Sequence, residues 1–329
     1  MKRLQRSLVG ALGLALLLPF GSAHAQGIAE QVARVGDGVV RMSFPSRPGV
    51  CGSGSGIAIR DPRTGDGTNL IRWSFPGGGR DGDLVCEPGP VRVELRVAGG
   101  QVTGMRTTVG GGDEPAGRDL GMVSPAAAVE YLMALAAQAP GEVGKEAVVA
   151  AVLAEGAPVH PQLLRLAARP EAAAKTRKQA VFWAGQTGAP VGDLARLYAA
   201  ASEPEVQEQV IFAYSQRRDP EAVRELLRIA RADGDVRLRK KAVFWLGQAA
   251  GREATRELGG MVEEQGVPTE VKEHAIFALS QRPRDEAVPA LIRIARENPN
   301  PRLRKRAMFW LGETGDPRAV AFFEEILRH

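Results

Sequence analysis

The sequence has few of the side chains from which most active sites are built. It contains four histidines in 329 residues; His24 lies in a segment that we expect to be removed, and His160, His274 and His329 are far apart. No set of nucleophile, base and acid can be recognised, and no cluster of metal-ligating residues. We therefore predict no catalytic residues, no metal site, no cofactor and no enzymatic activity.

The glycine-serine run at 52–56 suggests two kinds of active site, and the sequence argues against both. A phosphate-binding loop would need a lysine, which the run lacks. A trypsin-like protease would need a histidine base, and residues 26–120 contain no histidine. A turn next to Cys51 is the better interpretation.

Long apolar runs are also absent, with one exception at the N-terminus. Three basic residues precede the apolar run 8–18, and the Ala-His-Ala sequence at 23–25 places small residues where a signal peptidase cleaves. This pattern predicts a signal peptide over 1–25 and export to the periplasm or the extracellular space. The alternative is an uncleaved membrane anchor, but the run is shorter than the roughly 20 apolar residues that span a bilayer.

A strong excess of one charge is missing as well. The formal net charge is +5, and removal of the three basic residues of the predicted signal peptide leaves +2. Nucleic-acid binding requires a strong positive surface. We therefore expect no nucleic-acid partner, and no membrane span after signal cleavage.

Cys51 and Cys86 are the two cysteines of the sequence. In an oxidising compartment such a pair predicts one disulfide, which would stabilise the fold by about 3–4 kcal/mol on the chain-entropy model. A metal-binding pair is the alternative, but neither cysteine belongs to a Cys-x-x-Cys motif and no histidine is near. The disulfide is the preferred interpretation.

Residues 26–120 are rich in glycine and have apolar residues at alternate positions. Residues 39–44 resemble a strand that Pro45 ends, and 69–75 a further strand. Residues 91–97 and 102–109 alternate on either side of a Gly-Gly turn, which predicts a β-hairpin. We expect a small β-rich domain over 26–120, stapled by the disulfide.

From residue 124 the pattern becomes helical. Ser124-Pro125 combines an N-cap residue with proline at the first helical position. The same signal recurs at Asp219-Pro220, Asn300-Pro301 and Asp316-Pro317.

A ten-residue segment then occurs three times, at 177–186, 239–248 and 304–313, and a second version occurs at 209–216 and 274–281. The Gln or Glu that ends each copy recurs every 30 to 33 residues. Two helices fit into this period, which is typical of an α-solenoid, where stacked helical pairs bury one another's apolar faces.

Three further features carry a family resemblance. They are the Asp-x-Arg at 235–237, the Leu-Gly pairs at 246–247 and 311–312, and the Asp-Pro-Arg-Ala-Val at 316–320. Residues 124–329 resemble the short HEAT repeats of the phycobilisome-lyase type. The resemblance implies a mainly α protein, an α-solenoid of about six HEAT-like helical pairs and a capping helix. It implies a monomeric scaffold that binds a protein or an extended peptide on its concave surface.

The same resemblance raises an alternative, a HEAT-repeat enzyme of the lyase or metal-dependent type. Some HEAT-repeat proteins hold two iron ions with His-Glu pairs on several helices. Here Glu273-His274 is one reversed pair, and no second histidine lies on a neighbouring repeat. Nothing marks a bilin pocket either, so neither activity is carried over.

One helical position carries a phenylalanine in every strong copy of the repeat. In the helix 235–248, Leu238, Ala242 and Trp245 form the predicted core stripe, and Phe244 lies off it, where HEAT repeats of this type usually have a polar residue. We call the five equivalent residues the Phe ladder: Phe182, Phe212, Phe244, Phe277 and Phe309. The predicted partner-binding residues are this ladder with Arg237, Lys241, Gln248, Arg302 and Arg306.

Two interpretations of the ladder stay open. The phenylalanines would form the floor of a binding groove with charged walls, or they would fill the seams between neighbouring helices. In the second case the flanking charges would be ion pairs worth at most about 1 kcal/mol each. Because large exposed apolar ladders are rare on monomers, seam packing is favoured. At the core position of successive copies a tryptophan alternates with an alanine: Trp183, Ala213, Trp245, Ala278 and Trp310. This alternation indicates that a large side chain packs against a small one in neighbouring helices.

Overall fold

The computed structural model describes residues 23–52, 56–60, 70–74, 87–110, 116–156, 158–217, 219–248 and 252–328. The strands are β1 (Gly38–Phe44), β2 (Val50–Gly52), β3 (Gly56–Arg60), β4 (Leu70–Ser74), β5 (Val91–Ala98), β6 (Gln101–Val109) and β7 (Arg118–Met122). The helices are α1 (Ala23–Ala33), α2 (Pro125–Gln138), α3 (Gly141–Val152), α4 (His160–Ala167), α5 (Ala174–Gln186), α6 (Val191–Ala200), α7 (Pro204–Ser215), α8 (Pro220–Ala232), α9 (Val236–Gln248), α10 (Arg252–Glu263), α11 (Thr269–Ser280), α12 (Arg284–Glu297), α13 (Pro301–Thr314) and α14 (Pro317–Leu327). Within these ranges no helix has the length and apolar content to cross a membrane.

The β region contains two small sheets. One has the order β6-β5-β1-β7, with β7 parallel to β1, and the other has the order β2-β3-β4. The predicted hairpin is β5-β6, which turns at Gly99 and Gly100, both with positive φ. The predicted strand 39–44 is β1, and alternate side chains of it, Val40, Met42 and Phe44, are buried.

Helix α1 is an element that the alternating pattern did not predict. Its buried face consists of Ala25, Ile28 and Val32, and it packs on α2. The predicted cleavage site after Ala25 falls inside this helix. Residues 1–22 of the predicted signal peptide lie outside the described residues, so the signal peptide stays a prediction.

The predicted disulfide also falls partly outside the described residues, because Cys86 is not among them. Cys51 is buried in β2, and the described part of the chain contains no free cysteine. The residues that follow the two cysteines, Gly52 and Glu87, exchange backbone hydrogen bonds of 3.0 and 2.9 Å. The pairing of Cys51 with Cys86 stays a prediction.

The predicted helix starts are confirmed at all four Pro sites. The side chains of Ser124, Asp219, Asn300 and Asp316 each accept a hydrogen bond from a backbone N–H in the first turn of the helix that follows. Each cap satisfies one of the N–H groups that a helix start leaves without a partner.

From α2 onward the described helices form six consecutive pairs and a last helix, α14. The second helices of the pairs are α3, α5, α7, α9, α11 and α13, and each packs on the next of this series. We call these six helices the second-helix layer. The buried side chains of the pairs and of the β region belong to one continuous core.

Each of the three copies of the ten-residue segment contains an arginine to which the sequence pattern assigned no role. Arg177, Arg239 and Arg304 donate to backbone carbonyls at or near the end of the preceding first helix, at 2.9, 3.0 and 2.9 Å. These carbonyls have no partner within their own helix, and the helix dipole favours a cation there. The arginine thus joins the two helices of its pair.

Candidate functional site

The five phenylalanines of the Phe ladder lie one on each of α5, α7, α9, α11 and α13. The second-helix layer therefore places them in a row across consecutive repeats. Their surroundings nevertheless divide them into two groups.

Phe182, Phe212 and Phe277 are half-buried, and each contacts an aromatic ring of the following second helix. Phe182 stacks on Phe212 with ring centroids 6.2 Å apart. Phe212 packs against Trp245 at 5.2 Å, and Phe277 packs against Trp310 at 5.1 Å. For these three residues the geometry is that of packing at a seam.

Phe244 and Phe309 are exposed, with 38% and 53% of their surface accessible. Each has an edge-on ring contact with the tryptophan next in sequence, at centroid distances of 5.1 and 5.0 Å. The next helix of the second-helix layer, α11, carries Ala278 at the position where α9 carries Trp245. Phe244 therefore has no large ring to pack against at that position. These two phenylalanines present an apolar surface to solvent.

Small residues allow a close approach between neighbouring second helices. A β-carbon built on Gly185 of α5 would lie 2.9 Å from the Cβ of Ala213 in α7, and one built on Gly247 of α9 would lie 2.9 Å from the Cβ of Ala278 in α11. A side chain at either glycine would force the helices apart. Gly312 of α13 is the equivalent residue, and a Cβ there would meet nothing within 4 Å.

From α5 onward the seams of the layer thus alternate between two kinds. A glycine faces an alanine at the α5/α7 and α9/α11 seams, which we call Gly–Ala seams. A phenylalanine meets a tryptophan at the α7/α9 and α11/α13 seams, which we call Phe–Trp seams. The predicted alternation of tryptophan and alanine is present in the structure, but Trp245 and Trp310 are half-buried whereas Trp183 is fully buried.

Two of the four predicted flanking charges form ion pairs across the seams. Lys241 contacts Glu208 of α7 at 3.3 Å, and Arg302 contacts Glu273 of α11 at 2.5 Å. The pKa of Arg302 is raised by its hydrogen bond to Glu273. Arg237 instead pairs with Asp235, two residues before it, at 2.8 Å. Because most of these side chains are solvent-exposed, each pair contributes little to stability.

Among the other predicted site residues, Gln248 and Arg306 are exposed on the same layer. His274 lies on α11, where the partial burial of its ring lowers its pKa. In the ranges that the structure describes, no group of three or more His, Cys, Asp and Glu residues is arranged to hold a metal ion.

Comparison with known proteins gives one family match. Residues 264–329, which include α11 to α14, match the family model of HEAT repeats. No curated protein sequence matches the chain. A solved structure of human deoxyhypusine hydroxylase in complex with glycerol aligns with 60% of this chain and 77% of its own, at 19% identity and a TM-score of 0.28. A likeness this low carries no argument about fold or function.

Proposed function

We propose that the chain is an exported HEAT-repeat scaffold that binds a protein or an extended peptide. HEAT repeats serve generally as surfaces for protein interaction, and stacked repeats form extended concave surfaces. In this proposal the six pairs are an α-solenoid, and the second-helix layer is the concave face. The scaffold works as a monomer, without cofactor, nucleic acid or membrane span.

The observation that supports the proposal best is the exposure of Phe244 and Phe309. Large apolar side chains at the surface are enriched where proteins bind one another, and aromatic and arginine side chains dominate the binding energy of interfaces. Both phenylalanines have a basic residue one helical turn or less away, Lys241 and Arg306. The proposed contact surface is therefore centred on these two rings, while the other three phenylalanines hold the seams.

The test combines affinity capture with thermal melting. Wild-type protein and the double variant Phe244→Ala/Phe309→Ala are used to capture partners from the exported fraction, which mass spectrometry identifies. We expect the double variant to lose at least about 2 kcal/mol of binding energy toward the captured partner, the size of an interface hot spot, and to melt close to wild type. Met122→Ala in β7 removes another exposed apolar side chain and serves as the matched control. Equal capture by all three proteins would contradict the proposal.

Two further parts of the proposal have direct tests. Export with cleavage before Gln26 predicts that the exported protein begins at that residue, which N-terminal sequencing would determine. The disulfide predicts that a peptide map without reductant links Cys51 to Cys86, and two free thiols would contradict it.

The alternative of a HEAT-repeat enzyme of the lyase or metal-dependent type has a simple test. The absorption spectrum and metal content of the purified protein would reveal a chromophore or stoichiometric iron. Either finding would replace the scaffold proposal.

A further inference from the structure

A cavity of about 400 Å³ opens at the N-terminal end of the Phe ladder, between α3, α5 and α7. It is lined by Lys145, Lys175, Lys178, Gln179, Phe182 and Gln209. Its volume is at the lower end of the range of ligand pockets, enough for one or two side chains of a peptide. Of the six lining residues, only Phe182 belongs to the predicted partner-binding residues.

The cavity carries an excess of positive charge. Lys145 and Lys175 share one carboxylate, that of Glu142, at 3.1 and 2.9 Å. Lys178 is exposed and has no carboxylate within 4.0 Å in the described part of the chain. Two of the three ammonium groups that line the cavity therefore share one carboxylate, and the third has no ion pair among the described residues.

Lys178 differs in this respect from the equivalent lysine of the next copy of the ten-residue segment, although α7 carries Glu205 at the position that Glu270 has in α11. Its equivalent in α9 is Lys240, which pairs at 2.6 Å with Glu270 of the following second helix. In α5 the ion pair to the following helix is made instead by the neighbouring Arg177, which contacts Glu203 at 2.9 Å. The cation at position 178 is thus available to a ligand.

The other side chains add polar and apolar contacts. Gln179 and Gln209 bring side-chain amides to the cavity wall, and the buried amide nitrogen of Gln179 donates to no acceptor among the described residues. Phe182 is held by its stacking on Phe212, with an interplanar angle of 17°, and by an edge contact with Trp183. Its ring forms a fixed apolar wall beside the lysines.

We propose that this cavity binds a carboxylate of a peptide that has an apolar side chain next to it. The cations and amide donors suit the two carboxylate oxygens, and charge-assisted hydrogen bonds of this kind are the strong ones. The apolar neighbour packs on Phe182. This inference rests on the proposed function, because the cavity continues the layer on which the peptide lies. The carboxylate belongs to a C-terminus or to an Asp or Glu side chain.

The first test is a selection from random decapeptides with free carboxyl termini on the full-length protein. We expect enrichment of peptides in which an apolar residue adjoins Asp, Glu or the C-terminal residue. Enrichment of peptides without this feature would overturn the inference and leave the proposed peptide binding intact. No enrichment of any peptide would count against both.

The second test locates the site. The affinity of one selected peptide is measured by fluorescence polarisation for wild type, Lys178→Met and the matched control Lys305→Met. Lys305 has the same position in the third copy of the repeat, on α13. We expect about tenfold weaker binding or more for Lys178→Met and no change for Lys305→Met. Equal affinities of all three proteins, or equal losses in both variants, would overturn the assignment.

The source of the carboxylate is determined with analogues of the same peptide. Amidation of its C-terminus and replacement of its acidic side chain by the amide are compared separately. The analogue that loses the affinity, and that no longer distinguishes wild type from Lys178→Met, identifies the bound group. If neither analogue binds more weakly, the inference fails.

Discussion

The two ends of the helix stack are covered in different ways. At the N-terminal end, β6 packs on α3, and the backbone N–H of Thr107 donates to the carboxylate of Glu146 at 3.1 Å. A backbone hydrogen bond of 2.8 Å also joins Arg47 to Leu153 at the end of α3. At the C-terminal end, α13 leaves Gly312 and Phe309 open to solvent. The N-terminal end is covered by the β region, which is not part of the repeat. At the C-terminal end the surface that packs on a neighbour in the other repeats is exposed to solvent.

The difference also revises what we expected of the last helix. Glu324 and Arg328 of α14 and its C-cap are exposed, as a polar cap requires. However, Val320, Ile326 and Leu327 are exposed as well, and Leu327 has 86% of its surface accessible. Helix α14 buries its own Ala319 and Phe322 and leaves an apolar outer side. It is an incomplete cap compared with the β region.

We expect the largest effect on the free energy of unfolding from replacing tryptophans, of which two at equivalent positions can be compared. Trp183 is fully buried near the covered end, and Trp310 is half-buried near the open end. Trp183→Ala should lower the free energy of unfolding by about 4 kcal/mol, because it leaves a large cavity, and Trp310→Ala by about 2 kcal/mol. Urea unfolding of both variants measures the two values. Equal losses would show that the two ends are packed equally well.

The contact at the covered end should depend on pH. Burial raises the pKa of Glu146 from 4.5 to about 7. The folded protein therefore keeps this proton over a pH range in which the unfolded chain has lost it, and the free energy of unfolding falls as pH rises from 4.5 to 7. The total decrease in the free energy of unfolding over this pH range is about 3 kcal/mol.

Glu146→Gln is neutral at every pH and should remove this part of the pH dependence, so that the variant is more stable than wild type at pH 8. Glu142→Gln on the same helix is the control, since its carboxylate is exposed and its pKa is lowered by Lys175 and Lys145. Unfolding curves at pH 5 and pH 8 provide the comparison. If Glu146→Gln shows the same difference in stability between pH 5 and pH 8 as wild type, the buried carboxylate is not the cause of that difference.

We expect the smallest effect on stability from replacing glycines, of which two at equivalent positions can be compared. Gly247→Ala places a methyl group against Ala278 and should destabilise the protein by about 1–3 kcal/mol. Gly312→Ala meets no neighbour and should stabilise α13 by up to about 1 kcal/mol, the helix propensity difference between glycine and alanine. Melting temperatures measure both. A similar loss for Gly312→Ala would mean that another surface covers α13 in solution.

The helix starts, the β5-β6 hairpin and the repeat could be predicted because each depends on residues close together in sequence. Ser124 and Asp219, for example, cap the helices that they precede. The two groups within the Phe ladder could not be predicted from the ladder alone, because they depend on the ring that the following helix offers. The alternation of tryptophan and alanine contained that signal for Phe212 and Phe277, which are followed one repeat later by Trp245 and Trp310, but not for Phe182, which is followed by Ala213 and stacks on Phe212 instead.

The Gly–Ala contacts and the cavity beside Lys178 depend on how neighbouring helices are rotated about their axes. Sequence periodicity predicts which face of one helix is buried, but it does not predict how two neighbouring helices are aligned against each other. The same holds for Arg177, whose position in the repeat resembles that of a surface residue although the side chain is buried. The sequence carried no signal for its partners, the carbonyls at the end of α4 and Glu203.

The alternation of Gly–Ala and Phe–Trp seams sets the step by which such an array can change in length. Copies with the same kind of helix, those ending at Gln186, Gln248 and Glu313, are 62 and 65 residues apart, which is two helical pairs. Loss or gain of a single pair would place two helices of the same kind side by side, either with two tryptophans or with two alanines at the shared seam. Duplication or deletion of two pairs at once would preserve every seam. Natural length variants of this array are therefore expected to differ by even numbers of pairs.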